Sequence, residues 1–208
     1  HVRSRSFYLI RAAATLPRLL GNRGGYLSLQ TGKFWEGHFS NTGFSHGMTL
    51  FEPVPGQEFG GNRTLANGRL AAHGNGDRGL KIGRRTMKPI REFIDRAAGQ
   101  PFLVWYAPYL PHQPHDAPRQ YQDLYRDDPA VPRQCVRYYA SISQFDDTVG
   151  ELVDYIERSG LAKNTIFVFL VDNGWEPGSR AMKGRPEEFH HTKRSKRAPF
   201  DYGLRTPI

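Results

Sequence analysis

Two runs of apolar side chains interrupt a mostly polar chain: Phe102-Leu103-Val104-Trp105-Tyr106-Ala107 and Ile166-Phe167-Val168-Phe169-Leu170-Val171. Short runs without alternation suit strands buried on both faces, as in a parallel sheet. Outside these runs the spacing becomes helical. Met87, Ile90, Phe93 and Ile94 predict a helix over 84–98. Val149, Leu152, Val153 and Ile156 form a stripe, with Ile142 and Phe145 a turn or two earlier, and predict a long helix over 134–159 that Gly160 ends. Upstream, Thr15-Leu16-Pro17 reads as a helix start: Thr15 suits the N-cap, and Pro17 suits the first turn, where a missing N–H is no loss. That helix would run through Leu19 and Leu20 to Gly24-Gly25. A short strand follows at 26–30, then Gly32-Lys33. Residues 1–14 show no clear period, 40–76 read as loop, and 108–118 form a turn rich in Pro and His. No internal repeat is visible.

This alternation predicts an α/β fold with a mainly parallel sheet flanked by helices. The polar motifs Gly32-Lys33, Pro111-His112 and Asp172-Asn173 each follow a predicted strand. Open α/β sheets bind ligands outside the carboxyl ends of their strands, so these groups are expected to meet in one crevice.

Composition narrows the ligand. The chain has 208 residues, enough for one domain, and its 22 Gly and 15 Pro imply long connections. Its formal net charge of +9 favours an anionic partner: nucleic acid, an anionic membrane, or a sulfated or phosphorylated substrate. Part of the surplus lies in Thr192-Lys193-Arg194-Ser195-Lys196-Arg197, and part in Arg84-Arg85 with Lys88 and Arg91, which reads as a solvated face. The lone Cys135 excludes an internal disulfide and a cysteine-based zinc site. No apolar run approaches the ~20 residues of a membrane helix. No signal peptide is visible, and both ends, His1-Val2-Arg3 and Arg205-Thr206-Pro207-Ile208, read as cuts in a longer fold.

Candidate chemistry sits at the strand ends. Asp172-Asn173 offers adjacent oxygens to a hard cation, although Asp-Asn-Gly is equally a good turn. Prolines around His112 and His115 hold the backbone extended, so an imidazole there can donate to an anionic oxygen or transfer a proton; His115 reads equally as an incidental loop residue. Lys33, after a strand-ending glycine, can present its ammonium to a tetrahedral anion, whereas Phe34 and Trp35 read as packing residues.

These residues resemble the sulfatase family of the alkaline phosphatase superfamily. Gly25-Tyr26 through Thr31-Gly32-Lys33 is similar to the second sulfatase signature, and Pro101-Phe102 through Pro111-His112-Gln113-Pro114 to the strand that leads to the substrate-binding His. Phe145-Asp146-Asp147-Thr148-Val149-Gly150, followed by 164–174, resembles the helix and strand that lead to the metal ligands. Residues 196–207 resemble the basic substrate loop. Four motifs in the family's order make the match specific.

The resemblance implies that residues 1–208 are part of a sulfatase (arylsulfatase-like) catalytic domain that hydrolyses sulfate esters of a small molecule or glycan. It implies calcium, or magnesium, held by Asp172 and Asn173. It implies Lys33, His112 and Lys196 holding the sulfate and its leaving oxygen, and secretion or a periplasmic or lysosomal location. The family's nucleophile is a formylglycine made within a Cys/Ser-X-Pro/Ala-X-Arg signature, which this sequence lacks; Gln134-Cys135-Val136-Arg137 does not fit it. The two early Asp ligands also have no match, so the chain alone is expected to be inactive. Trp35 stands where many members have a His, with His38 as the candidate replacement, and Tyr202-Gly203 replaces Gly-Gly. Lys193 competes with Lys196, which is preferred because it lies four residues before Phe200. The alternatives are a phosphodiesterase or phosphonate hydrolase on the same fold, a non-catalytic sulfatase-like binding protein, and, ranked last, a basic nucleic-acid-binding protein.

Overall fold

The computed structural model describes residues 6–50, 63–64, 70–71, 81–97, 99–112 and 114–173. The chain divides into two units, His1–Tyr155 and Ile156–Ile208.

The first unit is organised around strand β1 (Leu27–Gly32), buried along nearly its whole length. It pairs in parallel with β2 (His46–Gly47) on one side and β5 (Phe102–Ala107) on the other. The central strand is rich in polar residues, and each has internal partners, as burial demands. The Ser28 hydroxyl accepts from the Ser45 amide at 3.0 Å. The Gln30 carboxamide oxygen accepts from the Met48 and Thr49 amides at 3.2 and 3.1 Å. The Thr31 hydroxyl donates to the Trp105 carbonyl at 2.8 Å. Two further strands, β3 (Arg63–Thr64) and β4 (Leu70–Ala71), form an antiparallel pair inside the region read as loop. Strands this short carry no period that a sequence could display.

Helix α1 (Ser6–Leu9) lies in the unassigned first segment, and α2 (Leu16–Gly24) runs where expected. Gly25 closes α2 at φ 62°, the left-handed conformation glycine adopts without penalty. Thr15 takes the N-cap position but its side chain does not cap; its hydroxyl donates instead to the Thr42 carbonyl. Helix α3 (Lys88–Ala97) buries Ile90, Phe93, Ile94 and Ala97. It starts at residue 88, not 84, because Gly83 turns the chain at φ 68° and the Thr86 hydroxyl accepts from the Lys88 amide at 3.0 Å. A short α4 (Arg119–Asp123) follows the Pro- and His-rich turn.

Helix α5 (Val136–Arg158) is close to its predicted span but turned relative to its predicted stripe. Ala140, Ser141, Gln144 and Thr148 are buried; of the predicted stripe Ile156 is buried, whereas Ile142 is exposed. Strand β5 is not covered on both faces: it lies at the edge of the three-stranded sheet among the described residues, and Trp105 is 46% exposed.

In the second unit, residues 166–171 form no ladder among the described residues. The segment enters extended at Thr165 (φ −123°, ψ 133°), and Ile166 is 89% exposed. The expected buried strand is therefore corrected. An apolar run specifies extended backbone, but a strand also needs a neighbour whose amides and carbonyls complete the ladder. Among the described residues no helix is long and apolar enough to cross a membrane.

Candidate active site

Lys33 and His112 leave the same edge of the sheet from neighbouring strands. β1 and β5 run in register from Leu27 opposite Phe102 to Gly32 opposite Ala107. Lys33 follows immediately, and its amide donates to the Ala107 carbonyl at 2.6 Å. This close approach requires glycine at 32: its φ is 71°, and a Cβ there would lie 1.9 Å from the Ala107 carbonyl oxygen. The Lys33 ammonium sits 5.8 Å from the centre of the Trp35 ring, within cation–π range. Trp35 is 38% exposed, so it is not the packing residue the sequence suggested; Phe34 is buried, edge-on to Phe44 at 6.1 Å.

On β5 the chain passes Pro108, and the Leu110–Pro111 peptide is cis. The His112 amide donates to the Tyr109 carbonyl at 2.6 Å, closing the turn that presents this residue. His115 lies beside Tyr138, ring centres 5.4 Å apart. Burial holds its imidazole below the usual histidine range, and the nearby charges of His112 and Arg84 act in the same direction.

His38 caps the short turn Phe39–Thr42: its Nδ1 accepts from the Ser40 amide at 3.3 Å, with the Ser40 hydroxyl 2.8 Å away. With Nδ1 accepting, a neutral ring carries its proton on Nε2, which can donate to an anion. Glu36 lies between Lys33 and His38. Burial raises its carboxyl above the ordinary value, against the opposing pull of the Trp35 amide, which donates to it at 3.0 Å.

Asp172 and Asn173 follow the extended segment in the second unit, and the Asn173 side-chain carboxamide Nδ2 donates to the Asp172 carboxylate. The pair offers hard oxygens, a match in kind to calcium or magnesium. Among the described residues no group of three or more His, Cys, Asp or Glu could hold a metal. Lys196, its competitor Lys193 and Tyr202 lie outside the described residues. The structure thus brings Lys33 and His112 to one edge, with Glu36 and His38 on the loop after Lys33.

Sequence reasoning missed Arg84 by reading its cluster as solvated. Its side chain is only 9% exposed and binds the His112 turn, whereas neighbouring Arg85 is 61% exposed. The available signal was Gly83, which marks a tight turn and so a side chain aimed by the backbone.

Known proteins resemble this chain over part of their length. The chain is 35% identical over 85 residues to an uncharacterized sulfatase, YdeN, of Escherichia coli K12, covering 39% of this chain and 15% of that protein. It is 30% identical over 122 residues to an ulvan-active sulfatase of Formosa agariphila, covering 52% and 22%. It is 27% identical over 149 residues to an arylsulfatase of Clostridium perfringens, covering 53% and 30%. The chain thus spans between 15% and 30% of the length of these three relatives. The solved structure of Ps i-CgsB superposes with a TM-score of 0.60 at 20% identity, over 92% of this chain and 45% of that one. Its complex with k-i-k-neocarrahexaose gives 0.58 at 18%, with the same coverage. These structures share the alkaline-phosphatase-like α/β fold. The sulfatase family model matches residues 5–201, nearly the whole chain, which therefore belongs to the sulfatase family.

Proposed function

We propose that this chain contributes the Lys33 and His112 side of a site that hydrolyses sulfate esters, with a sulfated glycan as the substrate class. One observation carries the reading: Lys33 and His112 emerge from adjacent parallel strands locked in register at Gly32 and Ala107. In that position the Lys33 ammonium neutralises charge on the sulfuryl oxygens, and the His112 imidazole donates to the leaving oxygen as the S–O bond breaks. His38 adds a donor through Nε2, and Lys196 adds a second cation. Asp172 and Asn173 would hold calcium or magnesium, which supplies further charge stabilisation when bound. The formylglycine nucleophile is expected outside residues 1–208. A glycan substrate is supported by the ulvan-active relative and by exposed Trp35, whose flat face beside Lys33 suits the C–H face of a sugar ring.

The test compares sulfate release from an aryl sulfate and a sulfated oligosaccharide by the longest natural form of the protein and its Lys33→Ala and His112→Ala variants. Each substitution should lower kcat/KM by about 10²- to 10⁴-fold. Variants that match the wild type would refute the assignment. Faster turnover of a phosphodiester than of any sulfate ester would favour the phosphodiesterase alternative.

A further inference from the structure

We propose that Arg84 is a positioning residue for His112: from a rigid turn, its guanidinium grips the backbone on which the imidazole is mounted. The inference rests on the role given to His112 above.

Three acceptors on the His112 segment converge on this one side chain. Nη1 donates to the Pro114 carbonyl at 2.7 Å, and Nη2 to the His112 carbonyl at 3.2 Å. Nη1 also pairs with the Asp116 carboxylate. One acceptor is the carbonyl of His112 itself, so the fork holds the backbone directly beside the point where the His112 side chain leaves it. Arg85 reaches the same carboxylate only at 3.8 Å and is mostly exposed, so it shares little of this task.

The other end of the lever is fixed. The Gly83 amide donates to the Thr86 carbonyl at 3.1 Å, and the Arg85 amide to the Lys81 carbonyl at 2.8 Å, closing the turn that carries Arg84. The Arg84 carbonyl accepts from the carboxamide of buried Gln144, on α5, at 3.0 Å. Gly83 packs so tightly on β5 that a Cβ there would lie 2.2 Å from the Tyr106 hydroxyl. That hydroxyl is itself bonded to Thr148 on α5 at 2.6 Å. The turn is thus pinned to the strand that launches the His112 segment and to the helix behind it.

A planar guanidinium presents its donors from separate nitrogens in a fixed fork, and so can hold two carbonyls and a carboxylate at once. Lysine presents its three donors from a single nitrogen and does not reproduce the span of that fork. A cation needed only to balance Asp116 would be replaceable by lysine, whereas a positioning fork would not.

The experiment uses the longest natural form of the protein labelled with ¹⁵N-histidine, and reads the imidazole resonances at neutral pH while inorganic sulfate is added. The samples are wild type, Arg84→Lys, Asp116→Asn and, for assignment, His112→Asn. In Arg84→Lys the His38 and His46 resonances should stay in place and those of His112 should move, with its response to sulfate weakened by about tenfold, the scale of one lost charge-assisted hydrogen bond. Asp116→Asn, which leaves the guanidinium on both carbonyls, should disturb His112 less. An Arg84→Lys chain whose His112 resonances and sulfate response match the wild type overturns the proposal. If Arg84→Lys disturbs the whole histidine spectrum, Asp116→Asn decides: a His112 shift smaller than in Arg84→Lys supports the fork, and a shift as large reduces the contact to an ion pair and overturns it. Absence of any sulfate response in the wild type would count against the sulfate site itself, while the His112 resonances would still test the grip of Arg84.

Discussion

Glu36 and His115 flank the proposed catalytic groups, and burial disfavours the charged form of each. For Glu36 the folded chain keeps its proton to higher pH than the unfolded chain, whose value is 4.5. Between those two values the folded state binds more protons, so stability falls as pH rises through the window and the deficit persists above it. Glu36→Gln should therefore raise the melting temperature relative to wild type at pH 7 but not at pH 4; an equal change at both would remove the carboxylate from the argument. His115 has the opposite sign. Its folded value lies below 6.5, held down first by burial, then by His112 and Arg84, against the opposing Pro111 carbonyl and Asp116 carboxylate. Stability should be lost as pH falls below 6.5 toward that folded value, and His115→Gln should flatten this part of the pH–melting curve. A curve of unchanged slope in the variant would contradict it. Lys33 and His112 were legible in sequence because glycine and proline mark where a strand releases the chain. Arg84 and Trp35 were not, since only tertiary packing decides that the arginine is enclosed and the tryptophan exposed.

The turn from β1 into Lys33 tolerates only glycine. Gly32→Ala would put a methyl 1.9 Å from the Ala107 carbonyl oxygen and force a left-handed backbone on alanine. The left-handed conformation alone costs about 1–3 kcal/mol, so Gly32→Ala should lower unfolding free energy by at least about 2 kcal/mol in urea titration. A variant as stable as wild type would show that the β1–β5 ends are not so closely paired. Ile90 is fully buried on α3, and Ile90→Ala should cost about 2–5 kcal/mol by the same measurement; a loss under about 1 kcal/mol would place this face outside the core. β5 was readable to the residue because Pro101 and Pro108 bracket it, and α3 because its apolar spacing is strict. The buried face of α5 was hidden: Ser141, Gln144 and Thr148 are polar, and a search for apolar periodicity passes over them. Gln144 and Thr148 bond to Arg84 and Tyr106. The run at 166–171 shows the converse, with the apolar signal present but no paired neighbour among the described residues.

For the molecule as a whole, family and fold were legible because motifs recur in order along the chain, whereas ligand completeness depends on groups that must come together in space. Residues 1–208 contain no Cys/Ser-X-Pro/Ala-X-Arg sequence, so the chain alone should turn over an aryl sulfate no faster than buffer. Turnover that Lys33→Ala abolishes would demand another nucleophile. Metal binding offers a graded test of the same incompleteness. Calcium takes 6–8 oxygen ligands, and its affinity rises with their number and charge. Asp172 and Asn173 supply one carboxylate and one carboxamide oxygen, and the Asn173 carboxamide Nδ2 donates to that carboxylate, a bond in competition with a cation. The chain should therefore bind calcium weakly. The longest natural form, if it adds carboxylates, should bind more tightly, and Asp172→Ala in that form should lose most of the gain. Calorimetric titration of the three samples decides. Equal affinity in all three would sink the assignment of Asp172. Tight binding by the 208-residue chain, lost on Asp172→Ala in that chain, would instead show that residues beyond this pair already complete the coordination.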